Sequence, residues 1–525
     1  MSATYDIAVV GSGFAGSLMA MIARRQGFSV ILLEKGAHPR FAIGESSTPL
    51  SNLLLEELAT RYALPALKAL AKWGSWQRTY PEVACGLKRG FTFHHHSLTS
   101  PAFADPDHND QLLVAASPRD EIADTHWYRA NFDHLLVQKA QALGVEYIDQ
   151  VALHTLTEAY AKVTLGGQRD GRKLELHARF VVDATGPRGF LHRALRLGEA
   201  EFPNYPVTEA LYSHFSGVHR LEDISFARTA EIPPYPVDDA AVHHVFDGGW
   251  VWVLQFNNGV TSAGVAATDA CATQLRFSEG GPAWDRLLQR IPALQEQFKE
   301  GVVERPFNHM PRLSFRSAQI AGRRWALLPS AAGFVDPLLS TGFPLTLLGV
   351  SRLATIIADD WETPRFTKRL QDYATHTDTE LLATARLISA LYANMNNFRV
   401  FTALSLLYFA AASYSEAARR LGKSHLASSF LLCTEPTFEL NCVDICQRAR
   451  RPLTTNEADA LIGDIQSAIE PFNIAGLGRP ERRNWYPVEA RDLLEDAGKL
   501  GATREEISAM LLRCGFRQEH ELPRS

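Results

Sequence analysis

The sequence predicts an α/β fold in three parts: a parallel-sheet domain assembled from separated segments, an antiparallel-sheet region, and a helical C-terminal region. A strand–glycine turn–helix–strand unit opens the chain. Runs that alternate apolar and polar residues fill positions from about 205 to 315, the period of half-buried strands. From about 350 onward, apolar residues recur at three- and four-residue spacing, as on a helix face.

The bulk numbers narrow the classes. At 525 residues the chain exceeds one simple core, and 46% hydrophobic with 21% charged residues is an ordinary globular balance. A net charge of -5 argues against a nucleic-acid partner, which would select a clustered basic excess. Six cysteines over this length make no disulfide framework, and Cys442 and Cys446 have no second ligand pair after them, so no metal site is predicted. The start runs into a strand with no basic, apolar or cleavage region, which predicts no secretory signal and a cytoplasmic protein. The longest apolar run, Phe401 to Tyr414, is too short and Ser-interrupted for a bilayer, so no integral membrane segment is expected.

Tyr5 to Val10 is an apolar strand leading into the sequence GSGFAG, with glycines at 11, 13 and 16. Gly11 makes the tight turn, Gly13 lets backbone approach a pyrophosphate, and Gly16 lets helix and strand pack closely. Phe14 and Ala15 open the helix, whose positive dipole end faces the phosphates. Gly27 breaks the helix, and a second strand ends at Glu34, followed by Lys35; the glutamate suits a ribose hydroxyl. This is a Rossmann-like dinucleotide site. Two later segments favour FAD: Val181–Pro187, containing Asp183 and Gly186, and Trp325–Pro337, containing Asp336. Both read as strands returning to one extended cofactor. The predicted organisation is an FAD-binding domain over 1–200 with an inserted substrate-side segment at 85–120. An antiparallel-sheet substrate domain follows over 201–315, an FAD-binding return over 316–360, and a helical region over 361–525. No second GxGxxG appears in strand–helix context, and Gly476-Leu-Gly478 lacks the third glycine. That leaves three routes for reducing a flavin: a separate reductase, direct reduction without such a domain, or a bound substrate; a separate flavin reductase is the expected partner.

Residues 86–93, GLKRGFTF, pose a question: alone, Lys88 reads as a solvated charge at the start of a strand. Gly44, Glu45 and Ser46, in GESSTP, read as an N-cap and turn before a helix at 50–60. Together with GSGFAG, the loop at 44–49 and Leu338–Gly342, they resemble the flavin-dependent halogenases within the FAD-dependent monooxygenase superfamily, over roughly residues 5 to 350. The resemblance implies that the 44–49 loop lies beside the flavin and that Thr341 and Gly342 hold halide near its ring. It implies that reduced FAD, oxygen and a halide (chloride or bromide) yield hypohalous acid. Lys88, five residues before Phe93, stands where the family carries its reactive lysine, which presents the halogen to a small electron-rich aromatic, free or on a carrier protein. A buried lysine suits the role because desolvation lowers its pKa, whereas arginine would keep its proton.

Departures refine the resemblance. Tryptophan-type members carry Glu where Leu339 stands, so the chain is closer to the phenol- and pyrrole-type. Pro329-Ser330 replaces the Gly-Asp of many flavin hydroxylases. Trp250 and Trp252 begin a family Trp-x-Trp motif that Leu254-Gln255 does not complete; they read either as a tunnel wall or as one face of a core strand. His94 and His96 share a strand face, where a substrate-facing base is expected and metal is not. Arg129 resembles the superfamily arginine that starts a helix near FAD. The predicted activity is halogenation of a phenol, pyrrole or indole. The rivals are an FAD monooxygenase or dehydrogenase that uses no halide, and a non-catalytic flavin-binding protein of a biosynthetic complex.

Overall fold

The computed structural model describes residues 4–97, 105, 107–224 and 231–517. Strand Thr4–Val10 is apolar along its buried half and lies centrally, parallel to Val30–Leu33 on one side and Arg172–Asp183 on the other. Such two-sided burial is what a near-continuous apolar run demands. Helix Phe14–Arg25 makes the crossover and packs against helices Arg129–Ala142 and Gly342–Asp360. Glu146–Ile148 extends one edge in parallel, and Trp325–Leu327 pairs in parallel with Val181–Asp183. The antiparallel strands Val163–Arg169 and Val151–Glu158 complete this seven-stranded sheet. The carboxyl ends Val10, Leu33, Asp183 and Leu327 thus share one edge, where open α/β sheets bind ligands.

The second sheet has nine strands among the described residues. Thr208–Ser216, Thr261–Thr268, Gly249–Gln255 and Ala241–Phe246 pair antiparallel in that order, as their alternation predicts. The sheet is nevertheless mixed. Gly90–His96 joins parallel to Ala241–Phe246, and Trp485–Tyr486 joins parallel to Gln111–Ala115. Alternation has the same period in both senses, so it carries no information on direction. Within the 85–120 segment, residues 98–104 and 106 lie outside the described residues.

The C-terminal region contributes the long helices Phe366–Tyr392, Phe398–Arg420, Pro436–Ala449 and Thr455–Ile469. Leu338–Asp360 is long and apolar enough by composition to cross a membrane. Its most apolar stretch is 72% buried, as in a core helix. All six cysteines are free.

Trp252 shows how tightly the second sheet is fitted. Gly264 stands opposite both Trp252 and Tyr212 in the ladder, and a Cβ there would lie 2.4 Å from the Trp252 ring and from the Tyr212 Cβ. The indole is tied down by its N–H, which donates to Ser262 Oγ at 3.3 Å. Gly264→Ala should therefore cost about 1–3 kcal/mol of stability, the usual range for overpacking, read as a lowered midpoint in denaturant unfolding with an unchanged slope.

Candidate active site

The glycine turn forms a cradle for a dinucleotide. Gly11 has φ +96°, and a Cβ there would meet the Ala184 carbonyl oxygen at 2.7 Å; a Cβ on Gly16 would strike the Gly11 oxygen at 1.9 Å. Side chains are excluded at both positions. Helix Phe14–Arg25 starts at Gly13 with no side-chain cap and no acid in its first turn, so its N–H groups and dipole remain available to an anion. The guanidinium groups of Arg129 and Arg40 stand 3.3 and 3.8 Å from where a Gly13 Cβ would be. These features fit a pyrophosphate. Glu34 accepts the Ser12 and Gly36 N–H groups and the Ser12 hydroxyl, and pairs with Arg40 at 3.2 Å. Burial would raise its pKa, but Arg40 and these donors hold the carboxyl below its ordinary value. Lys35 is exposed.

Arg129 joins the cradle to the 44–49 loop. It forms a bidentate pair with Asp133 and donates to the carbonyls of Ile43 and Gly44. The Trp127 N–H donates to the Glu45 carbonyl at 2.6 Å, fixing the next residue. The buried Glu45 carboxylate meets His214 Nε2 of the second sheet at 3.0 Å. Thr48 then caps helix Pro49–Arg61 by accepting the Ser51 N–H.

The two return segments reach the same edge. The buried Asp183 carboxylate accepts the Thr185 N–H and hydroxyl and the Leu191 N–H, so it builds its own turn, while the backbone after it presses on Gly11. Gly186 takes φ +82°. Asp336 accepts the Leu338 N–H and the Tyr392 hydroxyl at 2.9 and 2.8 Å; burial pushes its carboxyl up to about 7 against these donors. Leu339 and Ser340 sit in the left-handed region, φ +62° and +54°, conformations that cost ordinary residues energy and mark a specified loop. The loop delivers Thr341 and Gly342 to the start of helix Gly342–Asp360. A Cβ on Gly342 would meet nothing within 4 Å, so space lies open there. Next to it, Phe343 packs on Phe14 with ring centroids 4.9 Å apart.

Lys88 is fully buried, so the surface reading of it fails. It ends strand Cys85–Lys88, which pairs antiparallel with Asp124–Trp127. Its ammonium donates to Ser46 Oγ at 2.8 Å and to the Ser47 carbonyl at 2.6 Å, and stands 3.8 Å above the Phe91 ring. Burial pulls its pKa well down, and the negative charge of Asp124 works the other way. The amine is thus attached to the loop that Arg129 holds at the cofactor edge.

Phe91 and Thr48 open onto a cavity of 180 Å³. Tyr408, Phe409, Glu416 and Leu511 form other parts of its wall, which is mostly apolar. Apolar cavities of roughly 150 Å³ accept benzene, so one substituted ring fits. The sequence reading missed these C-terminal walls. One signal was available: Glu416 and Arg420 form an i,i+4 ion pair at 2.7 Å at the end of the longest apolar run.

The expected substrate residues Trp250, Trp252, His94 and His96 do not line this cavity. Trp250 and Trp252 are buried, and the Trp250 ring lies 5.2 Å from His243. Their strand ends against the Lys88 strand: the Asn257 N–H donates to the Cys85 carbonyl at 2.9 Å. His96 Nε2 lies 2.9 Å from His244 Nδ1, and burial lowers His94 to about 4 and His96 to about 3, so both rings are neutral at pH 7.

Residues 119–397 match the tryptophan halogenase family, and residues 6–211 match an FAD-binding domain. Among curated proteins, the chain is 29% identical over 414 residues to the monodechloroaminopyrrolnitrin halogenase PrnC of Pseudomonas fluorescens, covering 77% of this chain and 70% of that one. It is 23% identical over 373 residues to a 1H-pyrrole-2-carbonyl-(peptidyl-carrier protein) brominase of Pseudoalteromonas luteoviolacea, covering 70% and 81%. Among solved structures, halogenase PltM in complex with phloroglucinol and FAD superposes with a TM-score of 0.80 at 26% identity, over 91% of this chain and 99% of that one.

The cradle sets a direct test. In Gly13→Val the branched side chain would occupy the space between Arg129, Arg40 and the helix start. FAD binding should be lost by fluorescence titration, while circular dichroism stays close to that of the unaltered chain.

Proposed function

The chain belongs to the tryptophan halogenase family, and we propose that it uses a halide, chloride or bromide, to halogenate a small phenol, pyrrole or indole held in the 180 Å³ cavity. It is an FAD-binding, halogenase-like oxidoreductase acting on electron-rich aromatic or heterocyclic compounds. The observation that carries the finer reading is the buried Lys88 amine, fixed to the cofactor-edge loop on one side and to the cavity-lining Phe91 on the other.

Bound reduced FAD supplies the oxygen-activating chemistry that makes a halogen electrophilic. Thr341 and Gly342 offer N–H groups at a helix start, with open space at Gly342, for the halide. Lys88 holds the electrophile: desolvation favours the neutral amine, whose lone pair arginine cannot offer. Lys88 is itself fully buried and meets the cavity through Phe91, whose ring its ammonium covers, and the apolar wall keeps water from competing for the halogen. PltM is in complex with phloroglucinol, and the brominase acts on a carrier-bound pyrrole. A cavity of 180 Å³ roofed by residues 474–516 fits the free ring better than a tethered one. No second dinucleotide fold is evident among the described residues, so reduced flavin comes from a separate reductase.

With a flavin reductase, NADH, bromide and a panel of phenols, pyrroles and indoles, Lys88→Ala should keep consuming oxygen. Halogenated product, read by mass spectrometry, should fall by at least ~100-fold, the lower end for losing a positioned catalytic group. Lys88→Arg should be nearly as damaging. Product at close to the unaltered rate in Lys88→Ala would remove the lysine from the mechanism.

A further inference from the structure

The geometry points to Asp124 as the positioning residue for Lys88: the carboxylate across the strand ladder sets how tightly the buried amine holds its proton. This rests on the reading of Lys88 above. Lys88 and Asp124 are direct partners in the antiparallel pair, so their side chains share a face with Cβ atoms about 4.5–5.5 Å apart. Lys88 is 0% and Asp124 7% exposed. The hydrogen bonds of the ammonium go to neutral acceptors, Ser46 Oγ and the Ser47 carbonyl. Asp124 Oδ1 accepts from Asn52 Nδ2 at 2.7 Å, and Oδ2 has no hydrogen-bond partner. The same Asn52 amide donates to Ser47 Oγ at 3.0 Å, and Ser47 Oγ donates to the Thr125 carbonyl at 2.7 Å. One amide therefore fixes the carboxylate relative to the residue whose carbonyl receives the lysine.

The other charged and titratable neighbours are already committed. His126 and His243 feel the Lys88 charge, and burial lowers both to about 3, so they are neutral rings. Glu416 and Arg420, whose charges reach Asp124, pair with each other at 2.7 Å. Burial pushes the Tyr408 phenol, next to Asp124, far up. The carboxylate and the ammonium therefore share one titration. With the proton on Asp124 instead of Lys88, ammonium and carboxylate become amine and neutral acid, and no net charge appears. Burial disfavours both charged forms, lowering Lys88 and raising Asp124, which makes the neutral pair accessible.

The sign of the test follows from the attraction. An anion raises the pKa of a nearby amine, so removing it lets Lys88 lose its proton at lower pH. In Asp124→Asn, which keeps an acceptor for Asn52, the acidic limb of the product pH–rate profile should move down by at least about one pH unit. The oxygen-consumption profile should stay in place. A purely structural aspartate would lower rate and melting temperature and leave the limb where it was. The second readout needs no turnover: thermal melting at pH 7 of the FAD-loaded protein, Asp124→Asn, Lys88→Met and the double variant. The double should melt at least ~2 °C above the sum of the single shifts, because it leaves no uncompensated buried charge. Additive melting shifts, or an unmoved acidic limb in an enzyme that forms product, overturn the assignment. If no variant forms halogenated product, the reading of the activity falls, and the melting cycle alone decides the pairing.

Discussion

Removing a lysine amine from water costs several kcal/mol unless the protein replaces its hydration shell. In this chain that requirement fixes the geometry of everything around Lys88. Two oxygens come from consecutive residues, Ser46 and Ser47, and a third favourable contact comes from the face of Phe91. The loop that supplies the oxygens cannot drift without stranding the charge. Arg129 and the Trp127 N–H hold its other end at the cofactor edge. A segment of a few residues thus couples the glycine-turn edge of the first sheet to the buried Lys88 and Phe91. The distance between them is set by a β-ladder and a helix cap rather than by flexible side chains.

Parts of this arrangement were legible in the sequence because they depend on local backbone requirements. The glycines at 11, 13 and 16 can serve a strand–turn–helix in few other ways, and a Cβ at 11 or 16 has no room. The strand periods and the helical tail followed from spacing alone. The chemical importance of Lys88 was not local: the octapeptide around it is also a plausible surface strand, and resemblance was needed to favour burial. What stayed hidden depends on pairings distant in sequence. The direction of Gly90–His96 relative to Ala241–Phe246 leaves no trace in alternation. Asp124 looks like an ordinary polar residue before a helix until the ladder places it opposite Lys88. Likewise, the cavity wall comes from residues more than 300 positions after Lys88.

The tryptophans illustrate the same limit from the other side. Alternation correctly put Trp250 and Trp252 on one face, but it could not say what that face meets. Trp250 lies beside His243, which stacks on Phe93 at 4.3 Å, and Phe93 is fully buried. The indole therefore belongs to a buried aromatic layer. Mixed pairing is what makes the layer continuous, since the parallel register sets His243 directly against Phe93.

The interior around Lys88 and Asp124 carries few free charges. There an unpaired charge would cost more than it could contribute. His126 and His243 are held neutral, and Glu416 answers Arg420. Leu339, where tryptophan-type members carry Glu, is itself 0% exposed and apolar. The acid–base pair that the ladder sets face to face in the core is Lys88 and Asp124. On the proposed reading, such a place suits a reactive halogen, because burial keeps solvent from the amine that would carry it.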